Sequence, residues 1–70
     1  MPLITVEMFE GRSLDQKRAL VRELTEAFRR TCGEDAASRL RVIIHEVPTE
    51  NWGIGGVLAA DRDADGSTMG

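Results

Sequence analysis

Few residues of this 70-residue chain could do chemistry, and the most unusual of them stands second. Met1 is followed directly by Pro2, and an initiator methionine is normally trimmed when the next residue is small. Trimming would make Pro2 a free secondary amine on a rigid ring, a group able to act as a base. With Met1 retained, the same nitrogen is an amide without useful basicity, and Pro2 merely starts a strand, where its missing N–H costs nothing. Arg12 sits in the turn Glu10-Gly11-Arg12-Ser13, and Arg41 and His45 lie within a β-branched run that begins at Arg39. Metal chemistry is poorly served, because Cys32 and His45 are the only residues of their kinds and lack ligand spacing. The Gly-x-Gly at Gly53 does not continue to the third glycine of a dinucleotide loop and opens no helix, so no phosphate cradle is expected.

The elements that must hold these residues can be read from periodicity. Ile4, Val6 and Met8 alternate with Thr5 and Glu7, the period of a strand with one buried face. Ser13 and Gln16 form a capping box that opens a helix. Leu20, Val21, Leu24, Ala27 and Phe28 give that helix an apolar stripe wide enough to cover one face of a sheet. Lys17, Arg18, Arg22, Glu23, Glu26, Arg29 and Arg30 form a solvated side, with Glu26 and Arg30 in favourable i,i+4 order. Gly33 stops the helix and a short loop, residues 34–38, is expected to follow. A second strand, residues 39–47, ends at Pro48, with Leu40, Val42 and Ile44 toward the helix and Arg41, Ile43, His45 and Val47 on the other face. Strand, helix and strand in this length make a βαβ unit with parallel strands and a right-handed crossover. Gly53, Gly55 and Gly56 around Ile54 predict a short hairpin or arm, with Trp52, the only tryptophan, as its anchor. Residues 1–60 thus form a single domain, and residues 61–70, rich in Asp, Gly and Ser, are expected to be a disordered tail.

Size and charge narrow the function classes. A 70-residue chain with one cysteine has no internal disulfide and little apolar surface to bury, so partner subunits are the expected source of stability. The exposed face of the sheet would mix Ile43 and Val47 with Thr5, Glu7, Arg41 and His45, too apolar to stay wet and too polar for a closed core. An interface between subunits resolves this. Net charge is −3 and the nine Lys and Arg are scattered, which excludes a nucleic-acid footprint. No run is long and apolar enough to span a membrane and no signal peptide opens the chain, so a cytoplasmic protein with reduced Cys32 is expected.

Pro2, Glu10-Gly11-Arg12-Ser13, Asp15-Gln16-Lys17, Arg41-Val42-Ile43-Ile44 and Asn51-Trp52-Gly53-Ile54-Gly55-Gly56 together resemble the small subunits of the 4-oxalocrotonate tautomerase family, in register over about sixty residues. The resemblance implies an α/β (α+β) fold: a βαβ subunit with a short C-terminal hairpin, assembling through its sheet into dimers and further into hexamers. It implies an isomerase, free of cofactors and metal, that shuttles a proton across a dienol with an amino-terminal proline as general base. Carried over, it makes Arg12 the residue that binds a distal carboxylate. Arg41 becomes the residue that holds the carboxylate and oxygen near the 2-keto end, and Trp52 an aromatic wall where the family usually has phenylalanine. Arg39, two residues before Arg41 and expected on the same face, competes for the same substrate-binding role. The expected partners are a small carboxylate substrate and further copies of the chain.

That chemistry makes physical demands. A secondary amine is mostly protonated near neutral pH, so a working base must be tuned downward, by desolvation from Trp52, Ile54 and Leu3 and by the cations Arg12 and Arg41. Pro2 and Arg12 lie ten residues apart on one extended stretch, roughly 30 Å, too far for one site within one subunit. Two first strands running antiparallel across a dimer axis would bring Pro2 of one copy to Arg12 of the other. Two alternatives compete: a non-catalytic assembly or binding subunit of the same fold, and a hydratase or dehalogenase on an unsaturated acid. The latter would need Glu7 or Glu10 to activate water.

Overall fold

The computed structural model describes residues 2–64. Strand β1, Leu3–Phe9, leads through the Gly11 turn into helix α1, Leu14–Cys32, then a one-turn helix α2, Glu34–Ala37, and strand β2, Arg41–Val47. A 3₁₀ turn, Thr49–Asn51, precedes the hairpin strands β3, Gly53–Ile54, and β4, Val57–Leu58, and helix α3, Ala59–Ala64. β1 and β2 pair in parallel with Leu3 opposite Arg41 and Phe9 opposite Val47, which is the arrangement a helical crossover requires. The expected βαβ unit with a C-terminal hairpin is the observed fold.

Alternation decides the two faces. Ile4, Val6, Met8, Val42 and Ile44 are half-buried on the helix side, whereas Leu3, Thr5, Glu7, Arg41, Ile43 and His45 are exposed on the other. The capping box is complete: the Gln16 N–H donates to Ser13 Oγ at 3.1 Å and the Ser13 N–H to Gln16 Oε1 at 2.9 Å. Of the expected stripe, Leu20, Leu24, Ala27 and Phe28 are half-buried and Val21 is left exposed at its edge.

The charged side is less uniform than the pattern predicts. Lys17 faces the sheet and donates to Glu46 Oε1 at 2.6 Å, tying the first turn of α1 to the end of β2. Glu26 pairs with Arg29, not Arg30, and Arg29 Nε also reaches Glu34 Oε1 at 2.6 Å. The hydrogen bonds that Arg29 donates, first to Glu26 and then to Glu34, raise the pKa of its guanidinium above the ordinary value.

Three boundaries depart from the sequence pattern. The expected loop at 34–38 is largely the helical turn α2: acidic Glu34 and Asp35 suit its first turn and two alanines complete it. The second strand starts at Arg41, because the N–H groups of Arg39 and Leu40 donate instead to the carbonyls of Ala36 and Ala37. The boundary expected at 60 falls inside α3, whose Ala59 is fully buried; of the expected tail, residues 65–70 lie outside the described residues.

The hairpin turns on Gly55 and Gly56, at φ +59° and +87°. A two-residue loop matched to the strand twist demands positive φ at both positions, which the glycine pair supplies without steric cost. Among the described residues only Ala37 and Ala59 are buried hydrophobics, while Leu3, Ile43, Ile54, Val57 and Leu58 are each more than 40% exposed. Such a subunit has no sealed core of its own.

Candidate active site

The three groups that could handle a dicarboxylic acid stand at the two ends of β1. Pro2 is half-buried just ahead of the strand, and its carbonyl accepts a hydrogen bond from the Arg41 N–H at 3.1 Å. The main chains of Pro2 and Arg41 are thereby fixed together by the first rung of the parallel ladder. Arg12 stands beyond the far end of the strand, whose seven residues alone span about 23 Å. Gly11, at φ +120°, makes the turn that carries it there. The fold therefore brings Pro2 and Arg41 to one end and leaves Arg12 at the other.

Arg12 lines an open cavity of about 240 Å³ with Met8, Gln16 and Leu20 and is its only charged residue. Among the described residues Arg12 and Arg41 make no ion pair, nor do Arg30 and Arg62 on the helices, whereas Arg18 binds Asp15 at 2.7 Å, Arg39 binds Asp35 at 2.9 Å, and Arg29 binds two carboxylates. A guanidinium already engaged presents fewer donors to a ligand, and those of Arg12 and Arg41, at the ends of β1, are unengaged. Arg39 also stands ahead of β2 and does not share the strand face that Arg41 occupies.

Two contacts were invisible to pattern reading. His45 Nδ1 lies 3.0 Å from Glu7 Oε2 across the exposed face; thirty-eight residues separate them, and only the β1–β2 register makes them neighbours. Glu7, one of the two candidates for the carboxylate that a hydratase would require, is thus engaged. Phe9 packs against Trp52 with ring centroids 4.6 Å apart and planes at 65°. The alternation Thr5, Glu7, Phe9 places Phe9 on that face, but nothing in the sequence joins it to Trp52. Among the described residues no group of three His, Cys, Asp or Glu side chains could hold a metal ion, and no helix is long and apolar enough to cross a membrane.

A βαβ subunit with a strand-opening proline, two unpaired arginines at the ends of that strand and an aromatic-anchored hairpin corresponds to a known class. Residues 2–62 match the family model described as tautomerase enzyme, and the chain belongs to that family of isomerases. The 2-hydroxymuconate tautomerase of Comamonas testosteroni is 46% identical over 61 residues, covering 87% of this chain and 95% of the relative. Among solved structures, TomN, a 4-oxalocrotonate tautomerase homologue in the tomaymycin biosynthetic pathway, superimposes with a TM-score of 0.86 at 42% identity, over 94% of this chain and all of that one. A heterohexameric 4-oxalocrotonate tautomerase from Chloroflexus aurantiacus J-10-fl gives a TM-score of 0.77 at 39% identity, over 87% of this chain and 97% of its own.

Proposed function

We propose that the chain catalyses keto–enol tautomerisation of a small dicarboxylated 2-hydroxydienoate of the 2-hydroxymuconate type, with the amine of Pro2, freed by loss of Met1, as general base. The observation that carries this is the state of the arginines: Arg12 and Arg41 are without carboxylate partners among the described residues, at the two ends of the strand that Pro2 opens. Relatives named for 2-hydroxymuconate support the substrate class.

In this reading the site is shared. Pro2 of one subunit meets Arg12 of another across antiparallel first strands, and Arg41 is supplied by whichever copy presents it at the 2-keto end. The Pro2 nitrogen takes the proton of the 2-hydroxyl, leaving a dienolate, and returns it to carbon at C3 or C5. Arg41 stabilises the negative oxygen that forms in between, an interaction strongest in the transition state. Arg12 holds the distal carboxylate through a bidentate fork, and Trp52 keeps water from the reacting atoms. Arg39, held by Asp35, is left as a structural ion pair. The same shared geometry makes the chain a homo-oligomer built from dimers.

Intact mass of the denatured protein, followed by a 2-hydroxymuconate ketonisation assay on wild type and Pro2→Ala, tests the base. A mass lacking one methionine and loss of activity in the variant are expected. An active protein that retains Met1, or near-full activity in Pro2→Ala, would overturn it.

A further inference from the structure

Trp52 has its main chain pinned on both sides. Its N–H donates to the Thr49 carbonyl at 3.4 Å, and its carbonyl accepts from the Ala59 N–H at 2.7 Å, with Ala59 itself fully buried. What remains free is rotation of the indole about its side-chain bonds. Phe9 is placed to stop that rotation. It is the last residue of β1, opposite Val47, and it is half-buried where Leu3, Thr5 and Glu7 on the same face are exposed. The rings meet edge to face at 4.6 Å and 65°, the orientation favoured when the positive edge of one ring meets the negative face of another.

We propose that Phe9 is the positioning residue for Trp52, fixing the angle at which the indole walls the pocket and so the width of substrate admitted. This rests on the reading above that Trp52 lines the pocket. A change at position 9 then alters the slope of the wall without removing it. Phe9 is not a catalytic residue, and its effect falls on substrate fit more than on the proton transfer.

The chain has one tryptophan and no tyrosine, so the near-ultraviolet circular dichroism of the tryptophan band reports Trp52 alone. The experiment compares wild type with Phe9→Ala, Phe9→Leu, Phe9→Tyr, Trp52→Ala and the double variant Phe9→Leu/Trp52→Ala, by that band and by kinetics on 2-hydroxymuconate and a methyl-substituted congener. In Phe9→Ala and Phe9→Leu the band should lose about half its intensity or more, KM for 2-hydroxymuconate should rise about three- to tenfold, and kcat should stay within about twofold. Discrimination against the congener should fall. Phe9→Tyr, which keeps the aromatic edge, should retain wild-type kinetics and a wild-type signal at the long-wavelength edge of the band, where the added tyrosine does not absorb. The double variant should cost no more than Trp52→Ala. Phe9→Leu conserves most of the volume and covers the case in which Phe9→Ala does not fold.

If Trp52→Ala raises KM while Phe9→Leu leaves both the band and KM unchanged, Phe9 does not position the indole and the proposal fails alone. If Trp52→Ala leaves KM unchanged, the indole is not a pocket wall. The proposal then fails together with that part of the functional reading, while the Pro2→Ala assay still reports separately on the base.

Discussion

Arg39 and Arg41 are the same residue type two positions apart, and what distinguishes them is what already holds each one. Composition and spacing could not tell them apart, because the difference arises from the turn that takes the Arg39 N–H out of the strand and lets its guanidinium reach Asp35. Arg41 lies inside β2 and has no ion pair among the described residues, so its donors are unengaged. Arg41→Gln should therefore lower kcat about 10²–10³-fold if it stabilises the dienolate oxygen, while Arg39→Gln should leave ketonisation near wild type. Steady-state kinetics on both variants decide this; an equal loss in Arg39→Gln would return that residue to the site. Pro2, by contrast, is a candidate from sequence alone only in company with the later motifs, and the structure adds that it precedes β1 with its carbonyl bonded to the Arg41 N–H. The Glu7–His45 and Phe9–Trp52 contacts were not legible, because each depends on register or on a loop path that no local pattern encodes.

Elements with a local physical cause were legible, and those decided by competition between neighbouring hydrogen-bond partners were not. The capping box of Ser13 and Gln16 satisfies free N–H groups within four residues, so its sequence signature and its geometry coincide. Gly55 and Gly56 likewise announce their turn, since few other residues tolerate positive φ twice in succession. β2 starts two residues later than its pattern predicts because the carbonyls of α2 capture the N–H groups of Arg39 and Leu40, although both have strand-compatible patterning. Helical spacing alone predicts Lys17 in solvent, and it turns inward because Glu46 occupies the helix side of β2. Replacing Ser13 by Ala removes one half of a reciprocal cap and should cost about 1 kcal/mol. Thermal denaturation at fixed protein concentration should show a lower midpoint with unchanged helical content. A midpoint equal to wild type would mean that packing in the assembly, and not the cap, sets where α1 begins.

At the scale of the whole molecule, burial and chemistry make the same demand. With Ala37 and Ala59 the only buried hydrophobics among the described residues, and apolar Leu3 and Ile43 exposed beside Arg41, one copy has neither a sealed core nor a dry site. In the proposed reading a small dicarboxylate cannot bridge the length of β1, so Pro2 and Arg12 of the same copy would not act on one molecule. An isologous pairing of first strands resolves both difficulties, because a two-fold axis places each copy's Pro2 beside the other's Arg12. This can be separated from a site contained in one subunit by mixing two dead enzymes. Pro2→Ala and Arg12→Ala should each be strongly impaired alone. Co-expressed in equal amounts and purified as mixed oligomers, they should recover about half of wild-type activity if the mixed species is a dimer, in which one of two sites is intact, and about a quarter if dimers pair at random within a larger assembly. Purification through two different affinity tags isolates the mixed species for the ketonisation assay. Recovery to that level places the two residues in different subunits. Activity that stays at the level of the separate variants would mean that Pro2 and Arg12 serve the same site from one chain, and the antiparallel arrangement of first strands would have to be abandoned.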